Sequence, residues 1–382
     1  MSRKNPKQKV NVLGPPDKPL FIAIMLLVVF GLIMLASAST ATSQVEHGNP
    51  YYFVSRQLML GVGGGLFLGV LFFVLPHRLL QTLAIPGLLG ALGAMLAVFI
   101  PGIGVGSGGA HRWINMGPIT IQPAELLKIA VVIYLAAWLA QRKDSTHSFQ
   151  TGYLSFLGIM GIVSFFLVLQ PDISTLGVIL FTALAMYFAA GARINYIAAT
   201  LVMGTGALLL LIRLAPYRVN RILAFLNPGS DPLGIGWQVN QAMLAIGSGG
   251  LFGRGLGFSR EKLFWLPESF GDAIFAVLSE ELGFAGGIAL IGLFIFFAWR
   301  GFRIARALND SFLSLLAFGV TALIIIQALL NIGGIIALLP LMGITLPFFS
   351  YGSSSLVITL GASLLLLSLS RATRKNLTSA QK

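Results

Sequence analysis

The sequence predicts an all-α protein that crosses a membrane many times, with about ten transmembrane helices. Hydrophobic residues make up 56% of the 382 residues and charged residues only 10%, whereas a soluble domain has about 25% charged residues. Apolar windows of about 20 residues, the length that crosses the hydrocarbon core of a bilayer, recur along the whole chain. The chain is therefore predicted to be a polytopic helical membrane protein.

Ten apolar segments are predicted as spans, at 20–39, 58–75, 79–100, 123–140, 151–169, 173–190, 194–212, 273–297, 313–335 and 352–370. The first segment ends in LASAS, which imitates a signal-peptidase site. Its apolar core is longer than the roughly 7–15 residues of a signal peptide, so we predict that it is an uncleaved span.

Charge predicts the orientation of the bundle. Ten spans place both termini on one side, and Lys and Arg are concentrated in the termini and in the connections on that side. By the positive-inside rule both termini are cytoplasmic. The predicted parts are a basic tail at 1–19, a ten-helix domain at 20–371 and a second cytoplasmic tail at 372–382. One long outward loop, 213–272, joins the seventh and eighth spans, so chemistry is expected on the outer face.

Composition also narrows the function. The chain has no cysteine, which excludes disulfides, thiolate metal sites and cysteine nucleophiles. The net charge of +13 would suggest nucleic acid in a soluble protein, but here it reflects membrane topology, and no nucleic-acid partner is expected. The four histidines contain no i, i+4 pair, so a histidine metal site is not expected either.

Ionisable side chains are rare in the predicted spans, where they normally face the bundle interior or a wet cavity. Glu125 and Lys128 are three residues apart and therefore share one face of a helix. They are expected either to neutralise each other as a structural clasp or to contact substrate. Asp172 lies at a tight outward turn between two spans, where a role as helix N-cap explains it.

Three acids lie near the start of the eighth predicted span, within LPESFGDAIFAVLSEELGF at 266–284. Asp272 stands at the mouth of the bundle, although it or Ser269 would also serve as a helix N-cap. Glu280 is about 12 Å further along the helix axis and about 80° round from Asp272, which predicts that it is the nearer neighbour. Glu281 falls on the opposite side and is expected to pack against another helix.

The glycine-rich run GSGGLFGRGLGF, at 247–258, is not a nucleotide site. No Lys-Ser/Thr follows the glycines and no strand is predicted before them, so the phosphate-loop and dinucleotide patterns both fail. A mobile or tightly turned loop is expected, whose free backbone N–H groups could bind an anion. Arg254, Arg260 and Lys262 lie in or beside this run.

Five segments carry long motifs, and these read RWINMGPITIQPAELLKIA, QPDISTLGV, GWQVNQAMLAIGSGGLFGRGLGF, KLFWLPESFGDAIFAVLSEELG and NIGGIIALLPLMGITLPFFSYGSSS. Together they resemble the SEDS family of peptidoglycan polymerases (the FtsW/RodA/SpoVE family), and most closely its cell-division branch. The chain departs from the family pattern at Phe270-Gly271, where His-Thr is usual. It also has Gln241-Ala242 in place of Gln-Ser and Gly352-Ser353 in place of Gly-Gly.

The resemblance implies a bacterial cytoplasmic-membrane enzyme that polymerises lipid II, the undecaprenyl-pyrophosphoryl disaccharide-peptide, into glycan strands outside the membrane. It assigns the catalytic role to Asp272. Positive charge is needed for the departing diphosphate, and the candidates are Arg213, Arg218, Arg221, Arg254 and Lys262. Further substrate contacts are expected from Trp113, Glu125, Lys128, Trp237, Gln238, Glu268, Glu280, Ser350 and Ser354. A divalent cation, Mg²⁺ or Mn²⁺, is a candidate cofactor.

The resemblance also implies partners, namely a class B penicillin-binding protein that crosslinks the strands and other division or elongation proteins. Besides a scaffold that mainly holds a partner, two alternative functions stay open. One is an elongation-type polymerase of the same family. The other is a lipid II flippase or another transporter, which would use the same acids as a polar pathway. Against transport, no inverted repeat is visible in the sequence, and the acids cluster towards the outer face rather than at the midplane.

Overall fold

Apolar helices form almost the whole fold. The computed structural model describes residues 14–107, 110–117, 119–142, 145–213, 219, 225, 234 and 236–373. Within these ranges the α-helices are α1 (Lys18–His47), α2 (Tyr52–Arg56), α3 (Gly63–Val74), α4 (His77–Thr82), α5 (Ala84–Ala97), α6 (Pro123–Gln141), α7 (Ser155–Leu169), α8 (Ile173–Ala189), α9 (Ile194–Arg213), α10 (Gly236–Ser248), α11 (Ile274–Ala307), α12 (Ser311–Ile335) and α13 (Ser353–Thr373). Two π-helical segments, Gln57–Val62 and Phe149–Leu154, lead into α3 and α7.

The predicted spans are confirmed as helices. Among the described residues, eight helical segments are long and apolar enough to cross a membrane, namely Lys18–His47, Tyr52–Val74, Pro123–Gln141, Phe149–Leu169, Ile194–Leu211, Ile274–Ala307, Ser311–Ile335 and Ser353–Ala372. The other two predicted spans, 79–100 and 173–190, contain the shorter apolar helices α5 and α8. The polytopic all-α architecture is therefore as the hydropathy predicts.

The two ends of the described chain lie side by side. The backbone N–H of Gly14 donates to the carbonyl of Arg371 over 2.9 Å, and the N–H of Asp17 donates to the Ser370 hydroxyl over 2.9 Å. The Asp17 carboxylate also forms an ion pair with the Arg300 guanidinium near the end of α11. An even number of spans likewise places both ends on the same side of the membrane.

Helix α12 lies at the centre of the bundle and packs against α6, α8 and α11. Glycine permits the closest approach: a Cβ on Gly319 would lie 2.6 Å from the Met186 sulfur and 2.8 Å from a Val132 methyl. Small residues let membrane helices pack closely, because lipid-exposed and buried apolar side chains have similar free energies and packing contacts must stabilise the bundle.

A small antiparallel sheet, which the sequence did not predict, lies between α5 and α6. Its strands are β1 (Gly104–Ser107), β2 (Ala110–Asn115) and β3 (Thr120–Ile121), in the order β1-β2-β3. The sequence pattern is weak because β1 is a four-residue strand with two glycines and β3 has only two residues, so there is little alternation of polar and apolar side chains. The sheet matters because β2 carries Arg112 and Trp113 to the cavity described below.

Helix α11 is broken at Gly283, whose φ of 68° and ψ of −166° are not helical. The loop after α10 supplies the missing hydrogen bonds. The N–H groups of Arg254 and Gly255 donate to the carbonyls of Glu280 and Glu281, over 3.0 and 2.9 Å. The N–H groups of Phe284 and Ala285 donate to the carbonyls of residues 250 and 251, over 2.9 and 3.0 Å. The glycine-rich run is therefore a tightly turned loop built into a helix break.

Candidate active site

A cavity of about 660 Å³ lies at the end of α11 that is remote from the chain termini. Its walls come from β2, α6, α8, α12, the segment 343–355 and the turn before α11. The polar and charged residues that line it are Arg56, Arg112, Trp113, Thr120, Gln122, Glu125, Lys128, Asp172, Thr175, Glu268, Asp272, Gln327, Thr345, Tyr351, Ser353, Ser354 and Ser355. Most of the bundle interior is apolar, so this concentration of polar groups marks the candidate site.

Asp272 is half-buried in the cavity wall. Its carboxylate Oδ1 accepts a hydrogen bond from Gln238 Nε2 over 3.2 Å, and its backbone carbonyl accepts from Asn331 Nδ2 over 2.8 Å. Its Oδ2 faces Gly343, where a Cβ would lie 3.6 Å away. Helix α11 begins at Ile274 with Ala273 in the N-cap position, so the capping alternative for Asp272 and Ser269 is wrong.

Glu125 and Lys128 form the ion pair that their spacing predicts. Lys128 Nζ lies 2.7 Å from Glu125 Oε2, and both side chains are buried while still lining the cavity. The ammonium also donates to Gln327 Oε1 over 2.7 Å. The pair is therefore both a clasp within α6 and part of the cavity floor.

Asp172 is the N-cap of α8, as predicted. Its Oδ1 accepts from the Thr175 N–H over 3.1 Å, and its Oδ2 accepts from the Thr175 hydroxyl over 2.8 Å. The carboxylate lines the cavity as well, so the cap fixes a negative charge at the site.

Two arginines that the sequence analysis did not assign to the site reach the cavity. Arg112 donates from Nη2 to the carbonyl of Pro171 over 2.5 Å and from Nε to that of Gln170 over 3.3 Å. Among the described residues it forms no ion pair, so its charge stays available to an anion. Arg56 donates to the Tyr52 hydroxyl over 3.0 Å. The signal for Arg112 was its place beside Trp113 in the first motif.

Tyr351 is a further cavity residue that the sequence analysis missed. Burial raises the pKa of its hydroxyl, the Arg56 guanidinium opposes this, and Tyr52 raises the pKa further. The phenol is consequently neutral at physiological pH and can both donate and accept a hydrogen bond.

Of the predicted substrate contacts, the structure brings Trp113, Glu125, Lys128, Glu268 and Ser354 together with Asp272 around the cavity. Gln238 reaches the site through its hydrogen bond to the Asp272 carboxylate. Ser354 also joins α13 to the small sheet, because its hydroxyl accepts from the Gln122 N–H and donates to the Thr120 carbonyl, both over 3.2 Å.

Glu280 is not the neighbour of Asp272 that the helical wheel predicts. Its buried carboxylate accepts from the N–H of Arg260 over 2.9 Å and from the Ser259 hydroxyl over 2.5 Å. Arg254 lies 3.3 Å away and forms an ion pair with it. The wheel fails because Asp272 precedes the helix, so a rotation of about 100° per residue does not apply between the two acids.

Lys262 likewise does not reach the cavity, because its ammonium is held in contacts within the bundle. Its ammonium lies 2.6 Å from Glu281 Oε1 and donates to the Ser37 hydroxyl over 3.0 Å. Ser37 itself donates to Glu281 over 2.7 Å, so Glu281 packs against another helix, α1, as predicted. Both members of the ion pair are buried.

The other predicted contacts lie outside the cavity lining. Trp237 Nε1 donates to the carbonyl of Trp265 over 2.9 Å. The buried Ser350 hydroxyl accepts from the Leu346 N–H over 2.7 Å. Arg213 is the exposed last residue of α9. The predictions for Arg218 and Arg221 lie outside the described residues.

The described parts of the chain contain no group of three or more His, Cys, Asp or Glu side chains placed to hold a metal ion. The carboxylates at the cavity belong to Glu125, Asp172, Glu268 and Asp272. The first is paired with Lys128 and the second caps α8. Glu268 is exposed and comes from the same turn as Asp272.

Comparison with known proteins identifies the family. A family model described as "Cell cycle protein", which covers FtsW, RodA and SpoVE, matches residues 18–375. Stage V sporulation protein E of Bacillus subtilis is 40% identical over 94% of this chain and 98% of its own length. A probable peptidoglycan glycosyltransferase FtsW of Alcanivorax borkumensis is 40% identical over 90% of each chain.

A solved structure shows the same fold. A chain from a peptidoglycan synthase complex, described as coordinating polymerization and crosslinking, superimposes with a TM-score of 0.76 at 29% identity, covering 94% of this chain and 99% of its own. The sequence match extends over nearly the whole bundle, including every segment that lines the cavity. The chain is thus a multi-pass cytoplasmic-membrane protein that belongs to the FtsW/RodA/SpoVE family of cell cycle proteins.

Proposed function

We propose that the chain polymerises lipid II into β-1,4-linked glycan strands on the outer face of the cytoplasmic membrane. One observation carries the proposal: a half-buried carboxylate, Asp272, shares a cavity with the cations Arg56, Arg112 and Lys128. The names of the FtsW relatives, which are described as probable peptidoglycan glycosyltransferases, support the same reaction. The cavity lies at the end of the bundle opposite the termini, where substrate meets the enzyme outside the cell.

The reaction needs one base. The donor sugar of lipid II is α-linked to diphosphate and the product linkage is β-1,4, so one displacement with inversion is sufficient. A glycosidase uses a second carboxylic acid to protonate its leaving group, but diphosphate leaves as a stable anion. The Asp272 carboxylate would accept the proton of the attacking 4-hydroxyl, and the Gln238 hydrogen bond holds it in place for that role.

The leaving diphosphate requires positive charge. Arg254 and Lys262 are paired with Glu280 and Glu281 and are poor candidates. Arg112 is the best candidate in the described part of the chain, because its hydrogen-bond partners there are carbonyl oxygens and no carboxylate there forms an ion pair with it. Arg56 and Lys128 line the same cavity and would share the task.

A divalent cation fits the site only together with substrate. Mg²⁺ is commonly held by one or two carboxylates and the oxygens of a bound phosphate group. Glu268 lines the cavity and neither forms a described ion pair nor caps a helix, so it would hold the ion, next to Asp272. Such an ion would supply additional positive charge to the diphosphate.

A class B penicillin-binding protein is the proposed partner, since the structural relative belongs to a complex that couples polymerization to crosslinking. Other division or elongation proteins are proposed to join that assembly. The chain is equally identical, at 40%, to an FtsW and to a stage V sporulation protein. The proposed function is therefore the shared reaction, with septal division as the proposed setting and rod elongation as the alternative.

The test is polymerisation of lipid II by the purified chain with its cognate transpeptidase. Asp272→Asn removes the base but keeps the shape of the side chain, and we expect turnover to fall by about 10²–10⁴-fold, the usual contribution of a general base. The matched control is Asp310→Asn. Asp310 caps α12 through the Leu313 N–H, and asparagine caps as well as aspartate.

Polymer from the wild type and from Asp310→Asn, with little from a folded and partner-bound Asp272→Asn, would support the assignment. Equal polymerisation by all three proteins would show that the base is another residue. Glycan products are read on gels after incubation with fluorescent lipid II.

A further inference from the structure

Two buried amides, Gln327 and Asn331, lie one turn apart on the same face of α12. They are 3% and 4% exposed in a helix whose mean hydropathy reaches 2.4. An amide buried in such a setting costs free energy unless its polar atoms are hydrogen-bonded. Their partners should therefore show what the two residues do.

Asn331 joins the candidate base to the segment before α13. Its Nδ2 donates to the Asp272 backbone carbonyl over 2.8 Å and to the Ile344 carbonyl over 2.7 Å. Both partners are acceptors, which fixes the orientation of the amide. The single –NH₂ group thus bridges two segments that are far apart in sequence.

Gln327 makes the corresponding connection one turn away. Its Nε2 donates to the carbonyl of Thr345 over 2.9 Å and to the Thr345 hydroxyl over 3.0 Å. Its Oε1 accepts from the Lys128 ammonium over 2.7 Å. Here too the partners fix the orientation of the amide, because a carbonyl accepts and an ammonium donates.

The two amides therefore bind consecutive residues, Ile344 and Thr345, of one cavity-lining segment. A continuous hydrogen-bonded path runs from Asp272 through Asn331 to Ile344, and from Thr345 through Gln327 to Lys128. The preceding residue, Gly343, faces the Asp272 carboxylate. The path joins α11, α12, α6 and the 343–345 segment at the cavity.

We propose that Gln327 and Asn331 are positioning residues that fix the distance between the Asp272 base and the Lys128 cation. The inference rests on the proposed polymerase function. Each amide acts through another residue: Asn331 binds the backbone of Asp272, and Gln327, which also lines the cavity, binds the Lys128 ammonium that pairs with Glu125. The acceptor hydroxyl and the diphosphate of the donor must be held at a fixed separation, and this path sets it before substrate arrives.

The expected consequence is a loss of turnover without a matching loss of binding. Misplacing a catalytic group by about 1 Å can cost about 10²-fold in rate. We expect Asn331→Ala and Gln327→Ala each to lower kcat for lipid II polymerisation by about 10²-fold, with KM changed by less than about 3-fold. The double variant should fall little below the worse single variant, because residues that act as one unit are not additive.

The control is Thr321→Ala, in the same helix. The buried Thr321 hydroxyl donates to the Ala317 carbonyl over 2.7 Å and is remote from the cavity lining, so its loss perturbs α12 and should leave kcat unchanged. Where Gln327→Ala does not fold, Gln327→Asn replaces it. That amide is one methylene too short to reach Lys128 and Thr345 together, and we expect the same loss of kcat.

The measurement is the rate of glycan formation against lipid II concentration, for variants whose Tm and transpeptidase binding match the wild type. Unchanged kcat in the folded variants, or losses that multiply in the double variant, would overturn the inference while leaving the polymerase function intact. A loss of kcat in Thr321→Ala of the same size would also overturn it. Absence of polymer from the wild type would refute the proposed function itself.

Discussion

Single carboxylates in this protein differ in role because their hydrogen-bond donors differ. Glu280 and Glu281 are fully buried and contact the hydrogen-bond donors and cations of one loop. Their charge is therefore neutralised by Arg254 and Lys262 and is not available to a substrate. Asp272 is half-buried and lines the cavity, and its carboxylate accepts a hydrogen bond from the neutral amide of Gln238. Such a carboxylate remains accessible to a substrate hydroxyl, which is what a general base requires.

Glu261 illustrates the cost of a carboxylate without enough donors. Burial raises the pKa of its carboxyl, the nearby Glu280 raises it further, and Arg254 lowers it. Its Oε2 is buried and has no hydrogen-bond partner among the described residues. In the pH range between the ordinary value of 4.5 and the raised pKa, the folded protein binds more protons than the unfolded chain. Stability therefore falls as pH rises through that range.

Glu261→Gln should remove this penalty. At pH 7 we expect the variant to melt at a higher temperature than the wild type, because the amide of glutamine stays neutral in the folded protein. The difference should vanish below pH 4.5, where the carboxyl is protonated in both states. Tm measured from pH 4 to 8 checks this. Glu46→Gln, at a side chain that is 54% exposed, is the control, and an equal gain there would contradict the explanation.

At the scale of elements, the break in α11 and the loop that fills it form one unit. Gly283 has a φ of 68°, and a Cβ there would lie 2.3 Å from the Gly253 nitrogen and 2.7 Å from the Leu251 carbonyl. Gly253, in the loop, packs equally closely against the helix, since a Cβ added there would lie 2.1 Å from the Glu281 carbonyl oxygen. Neither glycine can gain a side chain without moving backbone.

Gly283→Ala should therefore separate the loop from the helix. Because the clash is with backbone and the φ is left-handed, we expect a loss of at least about 2–3 kcal/mol of stability, seen as a lower Tm and faster proteolysis within 249–262. Gly292→Ala in the same helix is the matched control. A Cβ at Gly292 meets nothing within 4 Å, so that variant should be neutral or slightly more stable. Equal Tm values for the two variants would contradict the assignment.

For the molecule as a whole, the sequence predicted what depends on local composition. Ten spans follow from hydropathy, and the Glu125–Lys128 pair and the Asp172 cap follow from spacing within one helix. Contacts between distant segments could not be predicted in this way. The hydrogen bonds from Arg254 and Gly255 to the broken α11, and the Asn331 link to Asp272, exist only after the chain has folded.

Some of the missed residues did carry a signal. Gln327 and Asn331 are amides within an otherwise apolar span, and polar residues in spans generally mark an interior or functional site. Arg112 adjoins Trp113 in a long motif, which was a signal for it as well. The basic residues of the glycine-rich loop were the more conspicuous candidates, but their acidic partners on α11 neutralise them.

A closed void between α6, α8 and α12 argues against a transport path on the cytoplasmic side of Lys128. This void has no room for a water molecule, and it is lined by Lys128, Val131, Val132, Leu135, Ile179, Thr182, Ala183, Met186 and Leu323. Apart from Lys128 and the Thr182 hydroxyl this lining is apolar. A diphosphate on this route would lose its hydration without compensating hydrogen bonds, which costs many kcal/mol.

The protein in vesicles should accordingly polymerise lipid II that is supplied to its outer face without moving lipid II across the bilayer. Head-group-labelled lipid II is placed in both leaflets, and the label in the outer leaflet is quenched from outside. The label that stays unquenched is the protected fraction, and we expect it to equal that of protein-free vesicles. The same vesicles should form glycan strands when the orientation exposes Asp272. Loss of the protected fraction in the wild type, restored by Lys128→Met, would instead establish a transport path through the Glu125–Lys128 pair.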